Sequence, residues 1–145
     1  MMITITGKND KKRIVESPQA YFLPPWIPVC PDLSDTAIVA ASMLFSYKSD
    51  PRCSNADVMN LTVDNIAHML SGRPEGTTTI TEESRKILRE LGTVGILCDY
   101  RSGPLRITDD DHAPLNMSIH EFPVNGYLPP FWTANEALAA ARAGK

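Results

Sequence analysis

The chain has 145 residues, 43% of them hydrophobic and 21% charged, enough apolar material for one globular core with extensions and too evenly mixed for wholesale disorder. A formal net charge of −3 counts against a generally basic nucleic-acid carrier, and basic groups outnumber acidic ones only before residue 32 and between residues 77 and 108. The start, MMITITGKND, lacks a basic-then-apolar leader, and the longest apolar run, Ala37 to Phe45, is too short to span a bilayer. Cys30, Cys53 and Cys98 are an odd set without CxxC spacing, which reads as reduced thiols in a cytoplasmic protein.

Residues 2–6 and 12–16 are β-rich runs around Gly-Lys-Asn-Asp and predict a hairpin or a paired arm. Lys8, Lys11, Lys12 and Arg13 suit either a phosphate-seeking arm or a soluble hairpin tip. The next stretch, YFLPPWIPVCP, excludes helix through its prolines and predicts an extended strap packed by its aromatics. A related string, Tyr127-Leu-Pro-Pro-Phe-Trp132, echoes Tyr21-Phe-Leu-Pro-Pro-Trp26. Chance or a shared packing role suits that echo better than a duplicated site, with a peptide-binding aromatic surface as the alternative.

Ser34 predicts a helix N-cap, with Asp35 in the first turn and Leu33 and Ile38 spaced as a hydrophobic staple. Ala37, Ile38, Ala41, Leu44 and Phe45 then follow helical spacing up to Lys48–Asp50. Residues 51–61 read as a loop with a short turn of strand or helix near Val58 to Leu61. Thr62 caps a second helix, Val63 to Leu70, which Gly72 stops. After a turn-rich connection, a third helix runs from Ile80 to Leu91. Thr79 and Glu82 have capping-box spacing there, and Ile80, Ile87, Leu88 and Leu91 form the inward face. Gly92 and Gly95 end it. Ile96–Tyr100 and Leu105–Thr108, joined across Ser102-Gly103, predict two paired strands, with Cys98 facing the core. Residues 112–133 read as irregular. Ala134–Ala143 predicts an Ala-rich helix capped by Thr133, either docked on its own domain or joining with the strap in a homodimer interface.

The order helix, helix, helix, hairpin carries a resemblance. PDLSDTAIVAASMLFSYKSDP is similar to the opening helix of winged helix-turn-helix proteins of phage and plasmid replication or regulatory systems. LTVDNIAHMLSG resembles the helix before their turn, and RKILRELGTVGILCDY resembles the end of their recognition helix. There Leu88, Leu91, Gly95, Ile96 and Leu97 keep a Leu-x-x-Leu-x-x-x-Gly-Ile-Leu pattern. The resemblance covers about half the chain and implies an α+β fold. Residues 1–31 would form an N-terminal hairpin and strap, 32–108 a winged helix-turn-helix domain, and 109–145 an extended C-terminal segment ending in a short helix.

That resemblance implies double-stranded DNA as partner, with the third helix in the major groove and the wing on the backbone. The residues it singles out are Thr77, Thr78 and Thr79 before the helix, Thr81, Arg85, Lys86 and Arg89 on its exposed side with Glu82 and Glu83, and Arg101 and Arg106 in the wing. The implied role is a non-enzymatic DNA-binding regulator or replication accessory protein of a mobile element, without a cofactor or a metal. Glu82, Glu83, the acidic balance and the long Ser71–Thr79 connection motivate an alternative: the same fold as a protein-binding module. A phage inhibitor of a host nucleic-acid-binding complex, of the anti-CRISPR kind, is one form of it. His112 and His120 with Asp109–Asp111 and Glu121 match no metal-ligand spacing, His68 reads as a surface residue and Cys53 as a loop thiol. No nucleophile–base set has interpretable spacing, so catalysis is not expected.

Overall fold

The computed structural model describes residues 3–6, 12–15, 23–49, 58–71, 78–101 and 103–144. Thr77, Cys53, Tyr21, Phe22, Gly72 with most of the connection after it, and the turn of the first hairpin lie outside the described residues. The fold is α+β, and among the described residues there are four helices and two antiparallel strand pairs. Strands β1 (Ile3–Thr6) and β2 (Lys12–Val15) pair as the sequence predicts, in the register Ile3↔Val15 to Thr6↔Lys12.

The strap makes successive tight turns, with Ile27 N–H bonded to the Pro24 carbonyl and Cys30 N–H to that of Ile27. Those turns drive Trp26, Ile27, Val29 and Cys30 inward, where all are buried. The Trp26 indole N–H donates to the Glu121 carbonyl at 2.8 Å, so the apolar ring stays dry while its one polar atom is satisfied. Trp26 of the first string meets the second string. The Trp26 ring lies edge-on to Trp132 at 6.2 Å and tilted against Tyr127 at 6.3 Å.

Helix α1 (Asp35–Ser49) starts where Ser34 Oγ accepts the Ala37 N–H at 3.2 Å. Its Ala37, Ala40, Ala41 and Leu44 enter the core. Helix α2 (Val63–Ser71) starts with a reciprocal pair in which Thr62 Oγ1 accepts from Asn65 N–H and Asn65 Oδ1 accepts from Thr62 N–H, both at 3.0 Å. Asn thus plays the part that Glu or Gln takes in the usual capping box.

Helix α3 (Thr78–Thr93) begins earlier than the capping-box spacing predicts. Thr79 lies inside the helix and not at the position before its first residue. Glu82 instead pairs with Arg85 one turn on. Gly92 belongs to the last turn, and the stop is at Gly95, whose φ is +78°. Asn125 closes this end, donating from Nδ2 to the carbonyls of Thr93 at 2.9 Å and Gly92 at 3.4 Å.

The second strand pair departs from the predicted wing. Strand β3 (Leu97–Asp99) pairs with β4 (Met117–Ile119), in the register Leu97↔Ile119, Cys98↔Ser118, Asp99↔Met117. Leu105–Thr108, predicted as the returning strand, forms none. Leu105 and Ile107 only lean against the core, whereas all three residues of β4 are buried. A segment covered on both faces outcompetes one that can hide only alternate side chains. On the far edge of β4, Met59 bridges Met117 through two backbone bonds of 2.7 and 3.1 Å, so β4 is the middle of three extended segments. Cys98 is buried as predicted, although it stands outside the main apolar cluster. Leu97 points into the core, so the pleat sends Cys98 to the opposite face, against Ser118.

Helix α4 (Ala134–Ala143) is capped by Thr133, whose Oγ1 accepts the Glu136 N–H at 3.1 Å. Ala137 packs with Val29, Phe131 and Ala134 in a second apolar cluster, and the helix also contacts β1. It is therefore docked on its own chain. No helix among the described residues is long and apolar enough to cross a membrane.

Candidate binding face on α3 and the loop after β3

The stripe Thr81, Ser84, Arg85, Leu88 and Leu91 points inward, and all of it is buried. Two residues predicted on the exposed side, Thr81 and Arg85, are therefore on the wrong face for a ligand. Helical geometry explains both, since positions 81, 84, 85, 88 and 91 share one face at i, i+3, i+4 spacing. Hydrophilicity made 81 and 85 read as exposed, yet they continue the apolar stripe of Leu88 and Leu91.

Arg85 is held on every side. Its Nη1 donates to Glu82 Oε1 at 2.8 Å, its Nε to the Thr108 carbonyl at 3.1 Å and its Nη2 to the Asp109 carbonyl at 3.0 Å and to Asp111 Oδ1. Burial pulls its pKa down, but hydrogen bonding and charge from Asp111, and then Glu82, outweigh this and the net direction is up. The guanidinium is a permanent internal cation whose fork suits carboxylate and carbonyl oxygens together. What it does is pin the loop between β3 and β4 to α3.

That loop is further built from its own polar atoms. Thr108 Oγ1 donates to the Asp110 carbonyl, His112 N–H donates to Asp110 Oδ1, and Asp64 N–H at the start of α2 donates to the Asp111 carbonyl at 3.1 Å. Farther along, Leu115 N–H donates to the Leu61 carbonyl at 2.9 Å. The loop thus lies across the N-terminal half of α3 and the start of α2, and it brings Asp109, Asp110 and Asp111 to the corner where Glu82 leaves the helix.

The other predicted residues fall as follows. Thr78 and Thr79 form the opening of α3, and Lys86, Arg89, Arg101 and Arg106 are exposed. The Arg101 guanidinium lies 5.0 Å from the centroid of the Tyr100 ring, and its backbone N–H donates to Asp99 Oδ1 at 2.9 Å. Glu83 is exposed, and the Glu82 side chain is 74% exposed even while paired to Arg85. The face therefore carries cations along α3 and on the loop, and an acidic corner beside the helix start.

Sequence reading missed Asp109–Asp111 as partners of α3, because a run of aspartates after a strand reads as a polar exit. It also missed Cys98, Ser118 and His120, which the strand pairing brings together. Among the described residues no group of three or more His, Cys, Asp or Glu side chains is placed to hold a metal ion. Comparison with protein-family models, with curated proteins and with solved structures finds no match.

Proposed function

We propose that the chain is a winged-helix module that binds a protein partner through the acidic corner of α3 and its loop, the partner surface being basic and of the kind that otherwise holds phosphates. The fold reading is supported by element order. An extended segment between the first two helices, at Met59, lies beside β4, and β4 lies beside β3. Helix, strand, helix, helix, strand, strand with the last strand in the middle suits a winged helix, with residues 100–116 as an enlarged wing.

The observation that carries the protein-binding reading is the capture of Arg85 by Glu82 and Asp111. On a DNA-binding face, the first turns of the recognition helix would meet phosphates and base edges. Here that region offers Glu82, Glu83, Asp109 and Asp110 to solvent, and Arg85, the cation paired with Glu82 and Asp111, is buried. Carboxylates repel a phosphate backbone and attract a basic groove. DNA binding is the second reading, favoured by the exposure of Lys86, Arg89, Arg101 and Arg106. A role in which a mobile element encodes the module to occupy a host nucleic-acid-binding complex is consistent with the first.

Fluorescence anisotropy with a random duplex at low salt separates the readings. No saturable binding at tens of micromolar protein is expected, although a winged helix used on DNA shows at least that non-specific level. In parallel, a basic nucleic-acid-binding protein is expected to be retained by the wild-type chain, released by salt, and lost when Glu83, Asp109 and Asp110 are changed to Lys. Tight duplex binding by the wild-type chain overturns the protein-binding reading.

A further inference from the structure

On the face of β3 and β4 turned away from the core, three side chains meet that the binding role leaves unused. Cys98 and Ser118 are direct partners in the register, and His120, two residues beyond Ser118, returns to the same face. Cys98 Sγ is 3.3 Å from Ser118 Oγ and 3.3 Å from His120 Nε2, and Ser118 Oγ is 3.1 Å from that same nitrogen. The imidazole is anchored at its root. The backbone N–H of His120 donates to the Ile96 carbonyl at 2.7 Å, and the carbonyl just before it, of Ile119, accepts from Lys48 Nζ at 2.9 Å. Cys98 and Ser118 are buried, at 5% and 7% exposure, while His120 is half-buried and forms the outer side of the triangle.

We propose that Cys98 is a modification site, a thiol nucleophile served by His120 as its base, which takes two-electron oxidants of the peroxide class. A thiol is a poor nucleophile and its thiolate a good one. His120 Nε2 is within hydrogen-bond reach of the sulfur and can receive the thiol proton as the sulfur attacks one oxygen of hydrogen peroxide. The S–O bond forms and the O–O bond breaks. Sulfur is oxidised by two electrons and the peroxide is reduced. The proton passes from His120 to the departing hydroxide, giving water, a neutral imidazole and Cys98 as sulfenic acid. Ser118 Oγ lies beside both the sulfur and the imidazole, where it holds the two in line. The thiol of Cys30 has a different setting: fully buried, it sits 3.3 Å from the hydroxyl of Tyr127.

The full chain treated with hydrogen peroxide, trapped with dimedone and mapped by peptide mass spectrometry tests this site by site. Cys98 is expected to be trapped about tenfold faster than Cys30. His120→Gln, which keeps a polar side chain but no base, is expected to slow Cys98 about tenfold and leave Cys30 unchanged. The wild-type rate is also expected to stay flat in urea below the unfolding transition, since a native-state reaction needs no opening. That last measurement stands even if the variant fails to fold. Equal trapping of Cys98 and Cys30, an unchanged rate in folded His120→Gln, or a rate that climbs with urea in step with unfolding overturns the proposal.

Discussion

The Glu90 carboxylate on α3 accepts hydrogen bonds from both the backbone N–H of Ser34, at 2.9 Å, and its hydroxyl, at 3.0 Å, while that hydroxyl caps α1. The Ser34 side chain therefore starts α1 and ties it to α3. Ser34→Ala is expected to cost about 1–2 kcal/mol in urea unfolding, the upper part of the usual range for a lost cap. Glu90→Ala is expected to cost about 1 kcal/mol, and the double variant less than the two together, because both remove the same bonds. Strict additivity would show the two residues to be independent.

Arg85 joins α3 to the loop after β3 through the Asp111 carboxylate and two carbonyls, and it also pairs with Glu82 on its own helix. Arg85→Ala leaves Asp111 and the carbonyls of Thr108 and Asp109 without their donor, so a loss of about 3 kcal/mol is expected. Glu82→Gln, on the exposed side of the same cluster, is expected to cost less than about 1 kcal/mol. Hydrogen exchange should report that Arg85→Ala loosens residues 108–115 before it loosens α3. Unchanged protection there would remove the pinning role.

Tyr127 donates its phenolic proton to Asp32 Oδ2 and lies 3.3 Å from Cys30 Sγ. Burial first, and then these hydrogen bonds, push its pKa far above the ordinary 10.0. The folded state thus holds this proton more tightly than the unfolded chain does. Its contribution to stability is complete below the unfolded value and is lost as pH climbs beyond it. Wild-type stability relative to Tyr127→Phe should be constant from pH 7 to 9 and fall above about pH 10. A difference that is flat up to pH 11 would contradict the raised value.

Gly95 sits at φ +78° where a Cβ would collide with the Asn125 side chain. Gly95→Ala is expected to cost about 2 kcal/mol or more, from the backbone conformation and the collision together. Asn125→Ala alone loses the bonds that close α3, about 1 kcal/mol. In the double variant the collision is gone, so its cost is expected to fall below the sum. Thermal unfolding of the three variants measures this directly.

Replacing Glu83, Asp109 and Asp110 with Lys tests whether the acidic corner alone keeps DNA away. The variant is expected to gain micromolar, salt-sensitive duplex binding, with a salt slope that steepens by about one unit for each new phosphate contact. Failure to bind would show that the corner is not shaped for a duplex, whatever its charge.

Much of this was readable from local chemistry. Ser34, Thr62 and Thr133 begin α1, α2 and α4 as their types and spacings predict, because a cap is decided within four residues. The strand that pairs with β3 was not. Leu115, Met117 and Ile119 do alternate, and all are buried, but the pattern is three apolar residues long and Pro114 and Pro123 frame it as loop. Leu105–Thr108 offers the same alternation beside a turn signal, and only the three-dimensional cover over β4 decides between them. The candidate face failed in sequence at Arg85, since a cation on an inward stripe is revealed only by its partner, Asp111, 26 residues away. The Cys98–His120 contact likewise depends on a register that no local spacing encodes.

Because β4 is flanked by Met59 on one edge and β3 on the other, the sheet cannot be assembled from its first two members alone. During synthesis α1, α2 and α3 emerge while the seat between residues 59 and 97 is still vacant. Only when Met117 leaves the ribosome can the layer close, because Met59 and β3 both pair with β4. Pairing across such sequence separations carries a loop-closure cost, and a chain cut short before residue 117 would leave β3 and the segment at Met59 without the strand between them, as edges open to another molecule.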